Sequence, residues 1–73
     1  MKALEVIKIG SNVLKEKKIP AYILDSEMLL SKTLNKSREK ILTNLDQKID
    51  IKNISVFKTY LRRRSKNEPI AYI

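Results

Sequence analysis

Apolar residues recur at helical spacing along nearly the whole chain, and chain breakers interrupt the pattern at only a few points. At about 100° per residue, Ala3, Val6, Ile7, Ile9, Val13 and Leu14 fall in one arc, with Lys8, Asn12, Lys15 and Glu16 opposite. The period predicts a first helix over residues 3–18. Lys17 and Lys18 suit its C-terminal end, where cations meet the helix dipole. Ile19-Pro20 marks the break, and Pro20 is suited to open the next helix as its first residue. Over residues 21–34 the apolar positions Tyr22, Ile23, Leu24, Met28, Leu29, Leu30 and Leu34 cover most of the circumference. That pattern predicts a central helix with neighbours on several sides. Asn35 suits a left-handed C-cap.

Ser37 is a good N-cap for a short third helix reaching about Asn44, with Ile41, Leu42 and Leu45 pointing inward. Residues 46–50 read as a polar connection. Asp50 or Asn53 caps a last helix that runs to about Lys66, with Ile51, Ile54, Phe57 and Leu61 as its stripe and Val56 and Tyr60 widening it. Asn67 stands where a left-handed residue is needed, and Asn is the best choice there after Gly. The predicted fold class is an all-α bundle of four to five helices. Gly10, the single glycine, lies near the middle of the first helix's apolar arc. A glycine there costs about 0.5–1 kcal/mol against alanine, so the position predicts close approach of another helix.

Composition limits what such a bundle does. Seventy-three residues allow one domain of marginal stability, burying only about 60% of its unfolded surface. There is no cysteine and no histidine. Disulfides, thiol chemistry and a zinc site are thereby excluded, and the commonest general base is missing. One glycine is too few for a P-loop or a dinucleotide-binding turn. No apolar run approaches the roughly 20 residues that span a bilayer. The opening Met1-Lys2-Ala3-Leu4-Glu5 lacks a signal-peptide core, which predicts a cytoplasmic protein with no membrane partner.

The net charge is +8. It is spread over both halves, with one local cluster at Arg62-Arg63-Arg64-Lys66. A basic balance favours polyanionic partners, but Lys outnumbers Arg and Ile and Asn are common, the bias of an AT-rich genome. The arginine run has three readings. It is a solvated helix end favoured by the dipole, or an interdomain device in which Arg63 or Arg64 pairs with a carboxylate such as Glu68, or a nucleic-acid contact. Asp25 and Glu27 lie two apart on different sides of a helix, so they are not a catalytic pair. They read as first-turn acids or as contacts to a basic neighbour. Tyr22 and Tyr60 read as core-edge aromatics, since aromatic residues are too few and too scattered for a base-stacking surface.

Glu68-Pro69 breaks the last helix. Ile70 to Ile73 then has strand character, with Ile70 and Tyr72 on one face and Ala71 and Ile73 on the other. A lone strand is not stable, which predicts a mobile tail in the isolated chain and a piece cut from a longer protein. The expected organisation is a helical domain over 1–67 and the start of an interdomain segment over 68–73.

The segment Arg63-Arg64-Ser65-Lys66-Asn67-Glu68-Pro69-Ile70-Ala71-Tyr72-Ile73 resembles the linker after the N-terminal helical domain of the release-factor glutamine methyltransferases, the HemK/PrmC family. Asp25-Ser26-Glu27-Met28-Leu29-Leu30 is similar to that family's D-A-E-x-L-L pattern. Lys36-Ser37-Arg38-Glu39-Lys40-Ile41-Leu42 resembles the start of its third helix. The first helix matches only in kind. The resemblance implies a parent enzyme that transfers a methyl group from S-adenosylmethionine to the glutamine of the Gly-Gly-Gln motif in peptide chain release factors. It places that chemistry, with an Asn-Pro-Pro-Tyr motif and a glycine-rich cofactor loop, in a C-terminal methyltransferase domain absent from this chain.

No catalytic, cofactor-binding or metal residue is then expected in residues 1–73, and the chain alone is not expected to be an enzyme. Arg63, Arg64, Glu68, Pro69 and Tyr72 are the expected interdomain residues. The expected partners of this monomeric domain are the release factor and its own methyltransferase domain. Whether a further catalytic domain follows is open. Two other functions remain beside this one. A small basic nucleic-acid-binding module fits the charge, but the connection before the last helix is too long for a helix-turn-helix. A purely structural cap on the catalytic domain would add stability and no substrate affinity.

Overall fold

A computed structural model describes all of residues 1–73. It contains α1 (Ala3–Glu16), α2 (Tyr22–Leu34), α3 (Arg38–Leu42), α4 (Ile51–Ser65) and a single 3-10 turn over Ile70–Tyr72. No strand is formed, so the chain is an all-α bundle; its one β-bridge joins Lys2 to Lys48.

Three helices end in the same way. Lys18, Asn35 and Asn67 all have positive φ, at 61°, 53° and 67°. After α1, Ile19 N–H bonds to Leu14 O and Lys18 N–H to Lys15 O, both at 3.0 Å. This is the Schellman arrangement, and its usual hydrophobic contact is available because Leu14 and Ile19 are both buried. Asn35 and Asn67 close α2 and α4 with the same bonding, as their residue type predicts. Lys18 takes the same conformation with no side-chain preference for it. Pro20 does not open α2; it lies in the turn before the N-cap Ala21.

At the other helix ends, the Ser37 hydroxyl accepts from Lys40 N–H at 3.1 Å and the Asp50 carboxylate from Asn53 N–H at 2.8 Å. Asp50, rather than Asn53, is therefore the cap of α4. The first N–H groups of α1 find backbone partners instead. Ala3 donates to Gln47 O and Leu4 to Leu45 O. The connection before α4 is thus pinned to the start of α1, and it buries Ile49.

The core holds Val6, Leu14, Leu29, Leu30, Ile41 and Phe57, each no more than 2% exposed. Gly10 lies at the tightest crossing. An added Cβ there would overlap Ser26 Oγ and come within 2.7 Å of Phe57 Cζ, so α1 meets α2 and α4 only without a side chain at this position. Ser26 is fully buried and donates to Ile7 O at 2.8 Å.

Three expectations are corrected. Ile23, Leu24 and Met28 are exposed, so α2 has neighbours on its other sides but one open apolar face. Leu42 also lies at the surface, because it points about 100° round the helix from the inward-facing Ile41. Ile51, at the first position of α4, projects beyond the core and is 86% exposed.

The C-terminal segment differs from the extended form its residues suggest. Pro69 is extended, with φ −62° and ψ 142°, but Ile70–Tyr72 coils into the 3-10 turn. Without a partner strand, the chain satisfies its donors locally: Tyr72 N–H bonds to Pro69 O and Ile73 N–H to Ile70 O, both at 3.0 Å. Ile73 folds back onto the core at 8% exposure and Ile70 packs partly against it.

Candidate functional site

The end of α4 gathers the residues that the sequence singles out. Arg63 projects from the last turn toward the segment beyond. Its Nε donates to Glu68 Oε2 and its Nη2 to Glu68 Oε1, each at 2.7 Å, and Nη2 also reaches Tyr72 O at 3.0 Å. The two parallel bonds match the flat guanidinium to the flat carboxylate, a geometry lysine lacks. The hydrogen bond from Arg63 holds the Glu68 carboxyl below its usual range, and the same bond raises Arg63.

Arg64, one residue on, points about 100° further round the helix and meets α2. Its Nε donates to Asp25 Oδ2 at 3.0 Å and its Nη1 to Glu68 O at 3.2 Å. The side chains of this pair are only 20% and 11% exposed. So the two neighbouring arginines complete one circuit. Asp25 on α2 holds Arg64, Arg64 holds the Glu68 carbonyl, and Arg63 holds the Glu68 carboxylate and the Tyr72 carbonyl. Residues 68–72 are thereby tied to the end of α4 and, through Arg64, to α2.

Of the five expected interdomain residues, Arg63, Arg64 and Glu68 are joined directly, and Tyr72 is joined through its backbone. Pro69 supplies the extended bend between Glu68 and the 3-10 turn. Tyr72 is otherwise 75% exposed. Asp25 is the member that the arginine run did not point to. Its partner lies 39 positions away, and nothing in the local pattern links them. The second acid, Glu27, plays a separate role. It accepts from Arg38 Nε at 2.7 Å and ties α3 to α2. Both acids therefore contact a basic neighbour, one of the two roles open to them.

Chemically, the carboxylates of Asp25 and Glu68 are both engaged by arginines. No helix is long and apolar enough to cross a membrane.

Fold and site together define a small helical domain whose C-terminal segment is tied back to α2 and α4 by paired arginines and carboxylates. The chain belongs to the PrmC N-terminal domain family, whose model matches residues 5–73. Among similar proteins, the release factor glutamine methyltransferase of Leptospira interrogans is 36% identical over 70 residues, covering 96% of this chain and 24% of that protein. The same-named protein of Clostridium acetobutylicum is 34% identical over 73 residues, covering all of this chain and 26% of its own length. A bifunctional methyltransferase of Rickettsia felis is 38% identical over 69 residues, covering 94% of this chain and 13% of that protein. The chain thus spans about a quarter or less of these relatives. No solved structure matches it.

Proposed function

We propose that this bundle is the substrate-docking domain of a cytoplasmic, S-adenosylmethionine-dependent methyltransferase that modifies the glutamine of the Gly-Gly-Gln motif in peptide chain release factors. In this reading the chemistry and the cofactor belong to a separate methyltransferase domain. The bundle binds the release factor and presents it. The observation that carries the reading is the circuit Asp25–Arg64–Glu68–Arg63. It ties residues 68–72 to the bundle, which supports a docking surface held at a set distance from a following active site.

The physical logic is one of effective concentration. A glutamine on a loop offers few atoms for recognition. A second contact elsewhere on the substrate turns the approach of that loop into an intramolecular event and orients it. The +8 charge supports electrostatic steering toward an acidic surface on the partner.

Titration of the 73-residue chain with intact release factor in a calorimeter tests this. Saturable binding that weakens with salt is expected. Absence of binding, with a loss of stability in the methyltransferase when the bundle is deleted, would make the bundle a structural cap. Sub-micromolar, sequence-dependent binding to DNA or RNA at physiological salt would instead make it a nucleic-acid module.

A further inference from the structure

Arg62 is the only arginine of four without a carboxylate partner. It is exposed and borders an open groove between α1 and α4. Val6, Ile9 and Phe57 line one end of the groove, in a hollow of about 90 Å³. Ile9, Val13 and Leu61 line the other end, beside Arg62. Lys58 borders both hollows. Ile9 is 43% exposed in the middle of this apolar strip, with no element of the chain across it.

The two rims differ in charge. The α4 rim carries Lys58 and Arg62, one turn apart, and neither has a salt-bridge partner within the chain. On the α1 side Lys2, two turns before Ile9, is paired with Asp46 at 3.8 Å. Two turns beyond Ile9 the α1 rim has Glu16, and one turn before Ile9 it has Glu5, whose carboxylate accepts from Lys2 N–H at 2.8 Å. The groove therefore favours an occupant that is apolar beneath and acidic on the one flank facing α4.

From Ile54 to Ser65, α4 offers about 16 Å of wall, roughly three helical turns. A helix of that length lays anchors at i, i+4 and i+7 into such a groove. The smaller hollow is less than the volume of about 150 Å³ that admits a benzene ring, so its anchor is aliphatic rather than aromatic.

We propose that the α1/α4 groove is the docking site for a short amphipathic helix of the protein substrate, with aliphatic anchors and a row of carboxylates along the flank that meets Lys58 and Arg62. This deepens the substrate-docking reading and rests on it for the identity of the partner.

The test has two arms. In the first, the isotopically labelled 73-residue chain is titrated with a helical peptide about three turns long, with Leu at the three anchor positions and Glu along one flank. A counterpart with Lys in place of Glu serves as control. The acidic peptide is expected to shift the amides of Ile9, Val13, Leu61 and Arg62 and to bind about tenfold more tightly than the basic one. The double variant Lys58→Glu, Arg62→Glu, at exposed positions, is expected to fold normally and to reverse the preference. Equal binding of the two peptides, or shifts centred on the open α2 face at Ile23, Leu24 and Met28, would overturn the proposal.

In the second arm, intact release factor replaces the peptide, and the double variant is expected to lose about tenfold in affinity. Unchanged affinity overturns the groove as the docking site while the domain's docking function stands. No affinity even in the unmutated chain overturns the substrate as occupant and the docking function with it, whatever the peptide does.

Discussion

Two sides of α4 show opposite treatments of the same chemistry. On one side Arg63 and Arg64 are consumed: each meets a carboxylate, and both reach carbonyls of the exit segment. On the other side Arg62 and Lys58 stand beside an apolar groove with no partner in the chain. The three arginines are adjacent in sequence, and the helix turns them to different sides. A charge run is therefore not one feature. The part that faces other elements of the chain becomes architecture, and the part that faces outward stays unpaired within the chain. Stability should reside on the closed side, and recognition on the open one.

The largest effect should come where the closed side meets the core. Leu30 on α2 is fully buried, and Leu30→Ala should cost about 2–5 kcal/mol. That is enough to unfold a domain of this size, and a thermal melt reads it directly. An unchanged melting temperature would mean that α2 is not the centre of the core.

Next comes Arg64→Ala. It strands the Asp25 carboxylate at 11% side-chain exposure, and the loss should be about 3 kcal/mol. Asp25→Asn should lose less, because the amide still accepts a hydrogen bond from Arg64. A chemical denaturation series that ranks the two the other way would place the weight of the clamp elsewhere.

Smaller still is the response to acid. Arg63 holds the Glu68 carboxyl below its ordinary value of about 4.3. A depressed carboxyl contributes fully above its unfolded pKa, and the contribution fades as pH falls through the depressed value. Arg63 is raised, so its share is present below its ordinary value and is lost only at pH far above any working condition. Amide shifts of Tyr72 and Ile73 should therefore hold steady down to the ordinary carboxyl range and move below it. In Glu68→Gln that transition should vanish. Persistence of the same transition in the variant would assign it to another carboxyl.

Smallest of all is Arg62→Ala, expected within about 0.5 kcal/mol of the unmutated chain, as for a surface site with no partner. A loss as large as that of Arg64→Ala would erase the distinction between the two sides.

Most of the fold was legible because local chemistry decided it. The apolar arcs placed four helices to within about two residues. Ser37, Asp50, Asn35 and Asn67 acted at the helix ends as their side chains dictate. Gly10 was readable as a close crossing from its place in the arc. The Arg63–Glu68 pair was within reach because the two are five residues apart across a predicted break. What the sequence did not show depends on the assembled bundle. Asp25 finds Arg64 only once α2 lies against α4. The outward turn of Ile23, Leu24 and Met28 depends on how few elements are present to cover α2. Ile70–Tyr72 has strand-like residues, yet with no neighbouring strand its donors turn to local 3-10 bonds. The split of the arginine run was hidden for the same reason, since partners and not residue type separate Arg62 from its neighbours.

On the proposed function, this domain brings the substrate and leaves the chemistry to another. That division is tested most directly in the full-length methyltransferase with and without residues 1–66. Methylation rates are measured on intact release factor and on a short Gly-Gly-Gln peptide, with S-adenosylmethionine binding followed in parallel. Cofactor binding is expected to stay nearly intact, the rate on intact release factor to fall steeply, and the rate on the peptide to fall much less. Equal losses on the two substrates, or lost cofactor binding in a folded truncation, would contradict the proposed function.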